Sequence, residues 1–398
     1  MPALIVFSHL RWDFVFQRPQ HLMTRLAKHF RVFFVEEPVL TSGNSYFDIR
    51  YPMPGVSVLT PHTPVEAVGF HDEQLTELQK LLHKLIDEQD IEEYVVWFYT
   101  PMALPLLSTL QPRAVVYDCM DELQAFKNAP RQLVQRENAL LKIANVVFTG
   151  GPSLYNAKRE RHPNVHCFPS SVDAGHFEKA KTAAGEHRLQ TGLPRPRLGF
   201  FGVIDERFDP ELIAGLADAH PQWQIVLVGP VVKIDQATLP QRTNVHYFGQ
   251  QSYAELPDFL RGWDVCLMPF ALNESTRFIS PTKTLEYMAA GLPIVSTPVT
   301  DVADIYSDIV YIASGKQEFI AACEQALGAS ADERQARAGK MQRAVAKTSW
   351  EITALKMRDL IEQACSNGPT DGARTLIERN ATQDGVRLRK STQGAAYR

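Results

Sequence analysis

Short apolar runs recur along this chain, and between them lie longer segments in which apolar positions return every three or four residues. The runs read as buried strands and the longer segments as helices packed by one face. In the first half the strands read Leu4–Phe7, Val32–Val35, Val56–Leu59, Tyr94–Phe98, Val115–Tyr117, Val146–Thr149 and His166–Phe168. Helical segments fall at roughly Pro19–His29, Asp72–Gln89, Met102–Thr109, Arg131–Ile143 and Ser153–Glu160. A polar stretch without periodicity, EKAKTAAGEHRLQTGLPRPR, then interrupts the pattern. It restarts with Leu198–Gly202, Gln224–Val228, Val245–Phe248, Val265–Met268, Ile294–Thr297 and Val310–Ile312. Strand–helix alternation marks parallel α/β sheets, so two Rossmann-like domains are expected at 1–174 and 197–348, with a linker at 175–196. A helix at 349–365 closes the periodic part. Residues 366–398, rich in Gly, Thr, Gln, Arg and Asn, lack a sustained apolar face and read as a flexible tail.

Composition adds exclusions. At 398 residues the chain exceeds what one core holds, in keeping with two domains. A net charge of −4 argues against nucleic-acid binding. The five cysteines are scattered without a C-x-x-C pair, so reduced packing residues are expected rather than disulfides or metal ligands. The N-terminus enters a strand directly, and no apolar run approaches the ~20 residues of a membrane span. A cytoplasmic protein is the expectation, with peripheral contact to the inner face of the membrane through Lys158, Arg159 and Arg161 as an open option.

The stretch RFISPTKTLEYMAAGLPIVST, Arg277 to Thr297, carries the most chemistry. Ser280 fits an N-cap, Pro281 the first helical position, and Gly291 the left-handed residue that ends the helix. Lys283 and Glu286, three apart, share a face near the helix N-terminus, whose free N–H groups and positive dipole suit a diphosphate. A lysine adds mobile positive charge there, and a carboxylate one turn on can accept two hydrogen bonds from a ribose diol. Together they describe a nucleotide-sugar site.

This stretch resembles the donor-binding segment of GT-B-fold glycosyltransferases, in particular the family-4-like enzymes with a Glu-x7-Glu signature. Glu286 matches the second glutamate, which in that family holds the nucleotide ribose. Where the first glutamate, a donor-sugar contact, should stand, this chain has Phe278, with Glu274 nearby in the preceding loop. The wording SPTKTLEYMAAG also resembles bacterial exopolysaccharide and teichuronic-acid-type transferases, in which a lysine at the Lys283 position contacts the phosphates. The resemblance implies GT-B architecture, two Rossmann-like domains facing across a cleft. It also implies a nucleotide-sugar donor, UDP-linked by family weight, and a saccharide or lipid-linked acceptor in polysaccharide biosynthesis. In GT-B enzymes a terminal helix commonly crosses back to the first domain, and SWEITALKMRDLIEQ looks like that helix.

Other donor-side candidates follow the strand ends, where ligands of open α/β sheets bind. Gly202 ends the first strand of the second half and would let backbone approach a phosphate, with Arg207 beyond it to grip the diphosphate or pair with Asp205 or Glu206. Gly229 closes the next strand. Phe248 lies where the family's backbone reads the nucleobase, and Thr282 sits at the helix start. On the first domain, His9, Arg11 and Trp12 follow the first strand, Arg11 and Trp12 as acceptor-side candidates and His9 as a catalytic candidate that reads equally as a structural residue. Asp118 and Asp121 end another strand. Asp121 matches the aspartate that inverting exopolysaccharide-type enzymes use as general base, while Asp118, nearer the strand, fits an orienting role. No metal-ligand constellation appears, and neither metal nor cofactor is expected. Glu286 leans toward the retaining families, Phe278 and Asp121 toward inversion. A nucleotide-sugar epimerase and a silent binding subunit are the alternative readings.

Overall fold

The computed structural model describes residues 1–182, 185–368, 370 and 372. Nine strands form the first sheet: β1 (Ala3–Phe7), β2 (Arg31–Val35), β3 (Val39–Leu40), β4 (Tyr46–Met53), β5 (Val56–Thr63), β6 (Tyr94–Phe98), β7 (Ala114–Cys119), β8 (Val146–Thr149) and β9 (Val165–Cys167). Their order is β3-β5-β2-β1-β6-β7-β8-β9, with β4 antiparallel on β5. Every residue of β1 and β6 is buried, as unbroken apolar runs must be in a parallel sheet covered on both faces. Helices α1 (Arg18–Leu26), α2 (Leu75–Glu88), α3 (Gln132–Ile143) and α4 (Pro152–Lys158) belong to this domain, while Pro101–Thr109 winds as a 3-10 helix instead of the α-helix that the sequence predicts. Pro105 inside that segment removes an N–H and disfavours the α form.

The second sheet holds β10 (Arg197–Phe201), β11 (Gln224–Val228), β12 (Val245–Tyr247), β13 (Val265–Met268), β14 (Ile294–Ser296) and β15 (Tyr311–Ile312). All its pairs are parallel, in the order β12-β11-β10-β13-β14-β15. Around it lie α5 (Ala174–Phe177), α6 (Lys179–Thr182), α7 (Pro210–Ala219), α8 (Leu256–Arg261), α9 (Thr282–Ala290), α10 (Thr300–Tyr306), α11 (Lys316–Gly328) and α12 (Ala331–Val345). The stretch read as a linker is not free chain over its first part. Phe177 and Ala180 are buried in the core of the second domain with Val172, Phe201 and Leu260, so α5 and α6 are part of that domain.

The last helix, α13 (Trp350–Asn367), places Trp350, Ala354, Met357, Ile361 and Ala364 in the core of the first domain beside Leu4, Val6 and Leu22. Those residues are spaced three or four apart, so one face of α13 is the buried one. The chain therefore crosses between domains twice, near 168–173 and near 346–350. Of the stretch read as a tail, 366–367 complete α13, and from 373 on it lies outside the described residues.

In each sheet the order reverses beside its first strand, between β1 and β6 and between β10 and β13. A crevice opens at such a switch point, outside the carboxyl ends of the strands. Both crevices open toward one groove between the domains, and the functional residues lie there.

Candidate active site

The groove has three connected parts. A donor-side pocket of about 290 Å3 lies against the second domain and is lined by Gly202, Gly229, Thr282, Lys283 and Glu286. A central cavity of about 120 Å3 brings Asp121 and Arg18 of the first domain opposite Arg207, Thr282 and Lys283. A wider chamber of about 470 Å3 extends along the first domain past His9, Arg11, Glu37 and Phe126.

Local backbone makes the donor side flat and open. Gly202 and Gly229 end β10 and β11 with φ of +139° and +146°. A Cβ on Gly229 would stand 1.9 Å from the Gly202 carbonyl oxygen, so the two strand ends touch backbone to backbone. A Cβ on Gly202 would stand 2.2 Å from Lys283 Cε. Gly202 therefore makes room for the lysine side chain, which lies with Nζ 5.7 Å from the centre of the Phe200 ring. Helix α9 starts one residue later than Ser280 and Pro281 imply: Pro281 is the N-cap and supplies no side-chain cap. The Ser280 carbonyl accepts from Ser170 Oγ at 2.6 Å, tying the crossing segment to the start of this helix. With no side-chain cap, and with the Thr284 N–H bonded to the Pro281 carbonyl, the N–H groups of Thr282 and Lys283 are left for a ligand. Gly291 ends the helix in the left-handed conformation at φ 75°, as the sequence predicts.

Lys283 takes part in no ion pair among the described residues, and burial lowers its pKa, with Glu286 acting in the opposite sense. Burial raises the Glu286 carboxyl to about 7 against the pull of Lys283 and a hydrogen bond from Thr282. A desolvated cation and a desolvated carboxylate lie side by side on α9 without neutralising each other, an arrangement suited to a ligand that carries phosphate and hydroxyls.

Several expected residues are placed elsewhere. Phe248 does not line the donor pocket; its N–H bonds to the Leu227 carbonyl, and its own carbonyl accepts from Gln251 Nε2 at 2.7 Å. Residues 250–253 line the pocket in its place, with Gln250 reaching the Phe14 carbonyl across the groove. Glu274 is exposed and faces Arg277 at 3.7 Å, so it does not replace the glutamate missing at Phe278. Phe278 packs against the core of the first domain with the Arg277 guanidinium 5.1 Å from its ring centre. Asp118 is fully buried and bound to Arg18 at 2.8 and 3.0 Å, which in turn holds the Phe168 carbonyl. It is a structural anchor with no face toward an acceptor. Trp12 is largely buried against Phe34 and donates its backbone N–H to Glu36, touching the donor pocket only at its edge.

Arg207 lines the groove but is bound by Asp205 at 2.7 and 3.0 Å. Its guanidinium and Lys233 Nζ lie 5.3 and 5.4 Å from the centre of the Phe126 ring, joining the two domains across the chamber. Arg11 donates to Glu36 and to the Glu37 carbonyl. His9 is held neutral, its pKa lowered to about 4 by burial and by Lys233, and its Nδ1 is buried without a hydrogen-bond partner. Asp121 is raised by burial, with Arg207 pulling the other way and Asp205 adding to the rise. It is the sole carboxylate among the described residues lining the central cavity. Glu37, which the sequence reading passed over, lines the chamber with its carboxyl raised by burial to about 7. Its one sequence signal is its place just beyond a strand end near the switch point.

Of the basic cluster considered for lipid contact, Arg159 and Arg161 are exposed and Lys158 is not. Lys158 is buried between Glu122 and Glu137, both at 2.8 Å, and Arg161 reaches Glu137 as well. Among the described residues no helix is long and apolar enough to cross a membrane.

Two Rossmann-like domains with facing switch points and a shared groove make this a GT-B fold. Residues 196–329 match the family model described as Glycosyl transferases group 1. Over 294 residues, 68% of this chain and 72% of the relative, it is 28% identical to a Bacillus subtilis (strain 168) protein described as a putative teichuronic acid biosynthesis glycosyltransferase, TuaH. Sucrose-phosphate synthase from Thermosynechococcus elongatus superimposes with a TM-score of 0.74 at 16% identity, over 92% of this chain and 100% of that one. An α,α-trehalose-phosphate synthase (UDP-forming) from Burkholderia xenovorans, in complex with glucose-6-phosphate, gives 0.67 at 13% identity, over 90% and 100%. An E. coli trehalose-6-phosphate structure bound with UDP-2-fluoro glucose gives 0.64 at 14%, over 92% and 100%. The chain is a GT-B-fold glycosyltransferase, similar in sequence to a polysaccharide-biosynthesis enzyme.

Proposed function

We propose that this enzyme transfers a sugar from a UDP-sugar to a saccharide or lipid-linked saccharide in polysaccharide biosynthesis, with inversion and without a resident metal. The observation that carries the reading is the central cavity, where Asp121 stands across from Lys283 and the uncapped N-terminus of α9. The UDP-sugar rests on the titles of two fold neighbours, and the polysaccharide setting on the description of the Bacillus relative.

In this scheme the second domain binds the donor. The α9 N-terminus and Lys283 hold the diphosphate, Glu286 accepts from the ribose diol, and residues 250–253 flank the base. The acceptor enters along the chamber of the first domain. Asp121 takes the proton of the acceptor hydroxyl as its oxygen bonds to the sugar's anomeric carbon. The bond from that carbon to the diphosphate oxygen breaks on the opposite face, and its electron pair leaves with UDP. Lys283 and the helix dipole meet the charge that develops there, the task that a metal ion performs in other transferases. His9 Nδ1 is left to bind an acceptor or donor hydroxyl. A single displacement of this kind inverts the anomeric centre.

The test is a thermal-shift panel of UDP, GDP, CDP, ADP and dTDP, with magnesium or with EDTA, followed by transfer assays using sugars of the nucleotide that binds. At ~100 times its Kd a ligand stabilises the fold by about 2.7 kcal/mol. A shift with UDP alone, equal in EDTA, is the expected outcome. A shift that requires magnesium overturns metal independence, and a shift with another nucleotide overturns the UDP assignment.

A further inference from the structure

A further cavity lies outside the groove. It measures about 540 Å3 and is walled by α10, by the end of α12, by the start of α13 and by the crossing segment 167–170. Leu285 of α9 also lines it. Lys283 and Glu286 line the donor pocket from the other side of the same helix. One helix therefore separates the two cavities, and the outer one is bounded by both crossings between domains.

Its charge is one-sided. Lys340, Arg343, Lys347 and Lys356 line it against a single carboxylate, Asp308. Asp308 is taken up by Lys340, at 3.2 Å. Arg343, Lys347 and Lys356 take part in no ion pair or side-chain hydrogen bond among the described residues. In a chain with a net charge of −4, three uncompensated cations around one concavity are a departure from the rest of the surface. They repel one another, and an anion bound between them would relieve that repulsion. The remaining wall mixes hydroxyl-bearing residues with apolar ones, of which Ile305 and Ile352 are 43% and 48% exposed. Thr353 stands on the wall as well, held by Ser171 at 3.0 Å.

We propose that this cavity is a second ligand site, for a phosphate-bearing anion whose less polar part lies over Ile305 and Ile352. Arg343, Lys347 and Lys356 are its anion ligands, Arg343 offering the planar fork that matches a phosphate in two contacts. The volume is within the usual range for a small-molecule pocket, so the ligand is a phosphorylated metabolite or the headgroup of an anionic lipid. The site does not depend on the donor reading, because none of its cations lines the groove.

The experiment compares the wild-type chain with an Arg343→Gln/Lys347→Gln/Lys356→Gln variant and, separately, with Lys283→Ala, which removes the one Lys or Arg among the described residues lining the donor pocket. The three glutamine positions are exposed, so folding is expected to be intact by circular dichroism. Inorganic pyrophosphate is titrated calorimetrically, and flotation is measured with phosphatidylglycerol–phosphatidylcholine vesicles against phosphatidylcholine alone. Pyrophosphate binding that survives Lys283→Ala and weakens about 100-fold in the triple variant establishes the site with a soluble ligand. Flotation with the anionic vesicles that is lost in the triple variant, without such pyrophosphate binding, establishes it with a lipid headgroup. Neither form of binding, or binding equal in wild type and triple variant, overturns the proposal.

Discussion

At the scale of single residues the groove is defined by groups held away from their ordinary protonation. Glu286 is raised to about 7 by burial, and its charge is what a ribose diol can hydrogen-bond to. Between the ordinary value near 4.5 and about 7 the folded chain keeps a proton that the unfolded chain has released. In the free protein this group's contribution to stability therefore falls as pH rises through that window. Binding runs the other way: UDP affinity is expected to rise with pH up to about 7 and then level off. In Glu286→Gln that component is absent, so the wild-type to variant ratio of Kd, measured from pH 5.5 to 8, isolates it; a constant ratio would remove Glu286 from the ribose. Glu286→Ala should weaken UDP by ~10- to 100-fold at pH 8, since hydrogen bonds to a charged group contribute ~1.5–3 kcal/mol. Asp121 is raised in the same sense, toward the pH at which a base works best. Asp121→Asn should lower kcat by ~10²–10⁴-fold and leave the UDP Kd unchanged. Turnover near wild type in that variant would assign the proton to another group, with Glu37 the candidate because Asp205, the other carboxylate of the chamber, is bound by Arg207.

At the scale of elements the donor side depends on two glycine strand ends and one uncapped helix. Gly229→Ala would drive a methyl group into the Gly202 carbonyl at a φ of +146°. Overpacking and backbone strain together should cost about 3 kcal/mol, and the expected outcome is a clear drop in Tm with weakened UDP binding. An unchanged Tm would mean that the two strand ends are not in contact. Both glycines were legible in the sequence, because a glycine ending an apolar run has few other uses. So were β1, β6, β10 and β11, whose apolar runs match buried parallel strands. The hairpin partner β4 was not: YFDIRYPM is half-exposed and interrupted by Pro52, which hides it among loops. Nor was the role of Asp118, because Arg18 lies a hundred residues away and only the sheet brings them together. Lys158 looked like a surface cation for the same reason, its carboxylate partners lying in other elements. Short-range pattern specifies strands and helix starts, whereas pairing across the sheet decides which charged residues are free to act.

At the scale of the molecule, the proposed base and the groups proposed to hold the diphosphate and ribose lie on different domains. Turnover is therefore expected to depend more strongly than donor binding on how the domains are held, although residues 12–17 of the first domain also line the donor pocket. Gly202, Gly229, Thr282, Lys283 and Glu286 all belong to the second domain, and Asp121 to the first. One tie between them is a helix cap made across the interface. Asp301, in the first turn of α10, accepts from the backbone N–H of Ser153 at the start of α4, at 3.1 Å. The carboxyl is raised by burial, against the hydrogen bonds from Ser153. A capping carboxylate is worth about 1 kcal/mol, and here the partners lie in different domains, so its loss should appear as domain opening. Asp301→Ala is expected to keep the UDP Kd within about threefold of wild type. It should lower kcat by at most about fivefold, the shift in the closed-to-open ratio that about 1 kcal/mol produces. Asp301→Asn keeps a carbonyl oxygen for Ser153 and should recover part of that loss. Equal losses of UDP affinity and turnover in Asp301→Ala would instead place the donor site under the control of the first domain. The groups proposed to hold the diphosphate and ribose stay together when the domains part, whereas Asp121 meets them only in the arrangement that this cap and the Ser170–Ser280 contact hold.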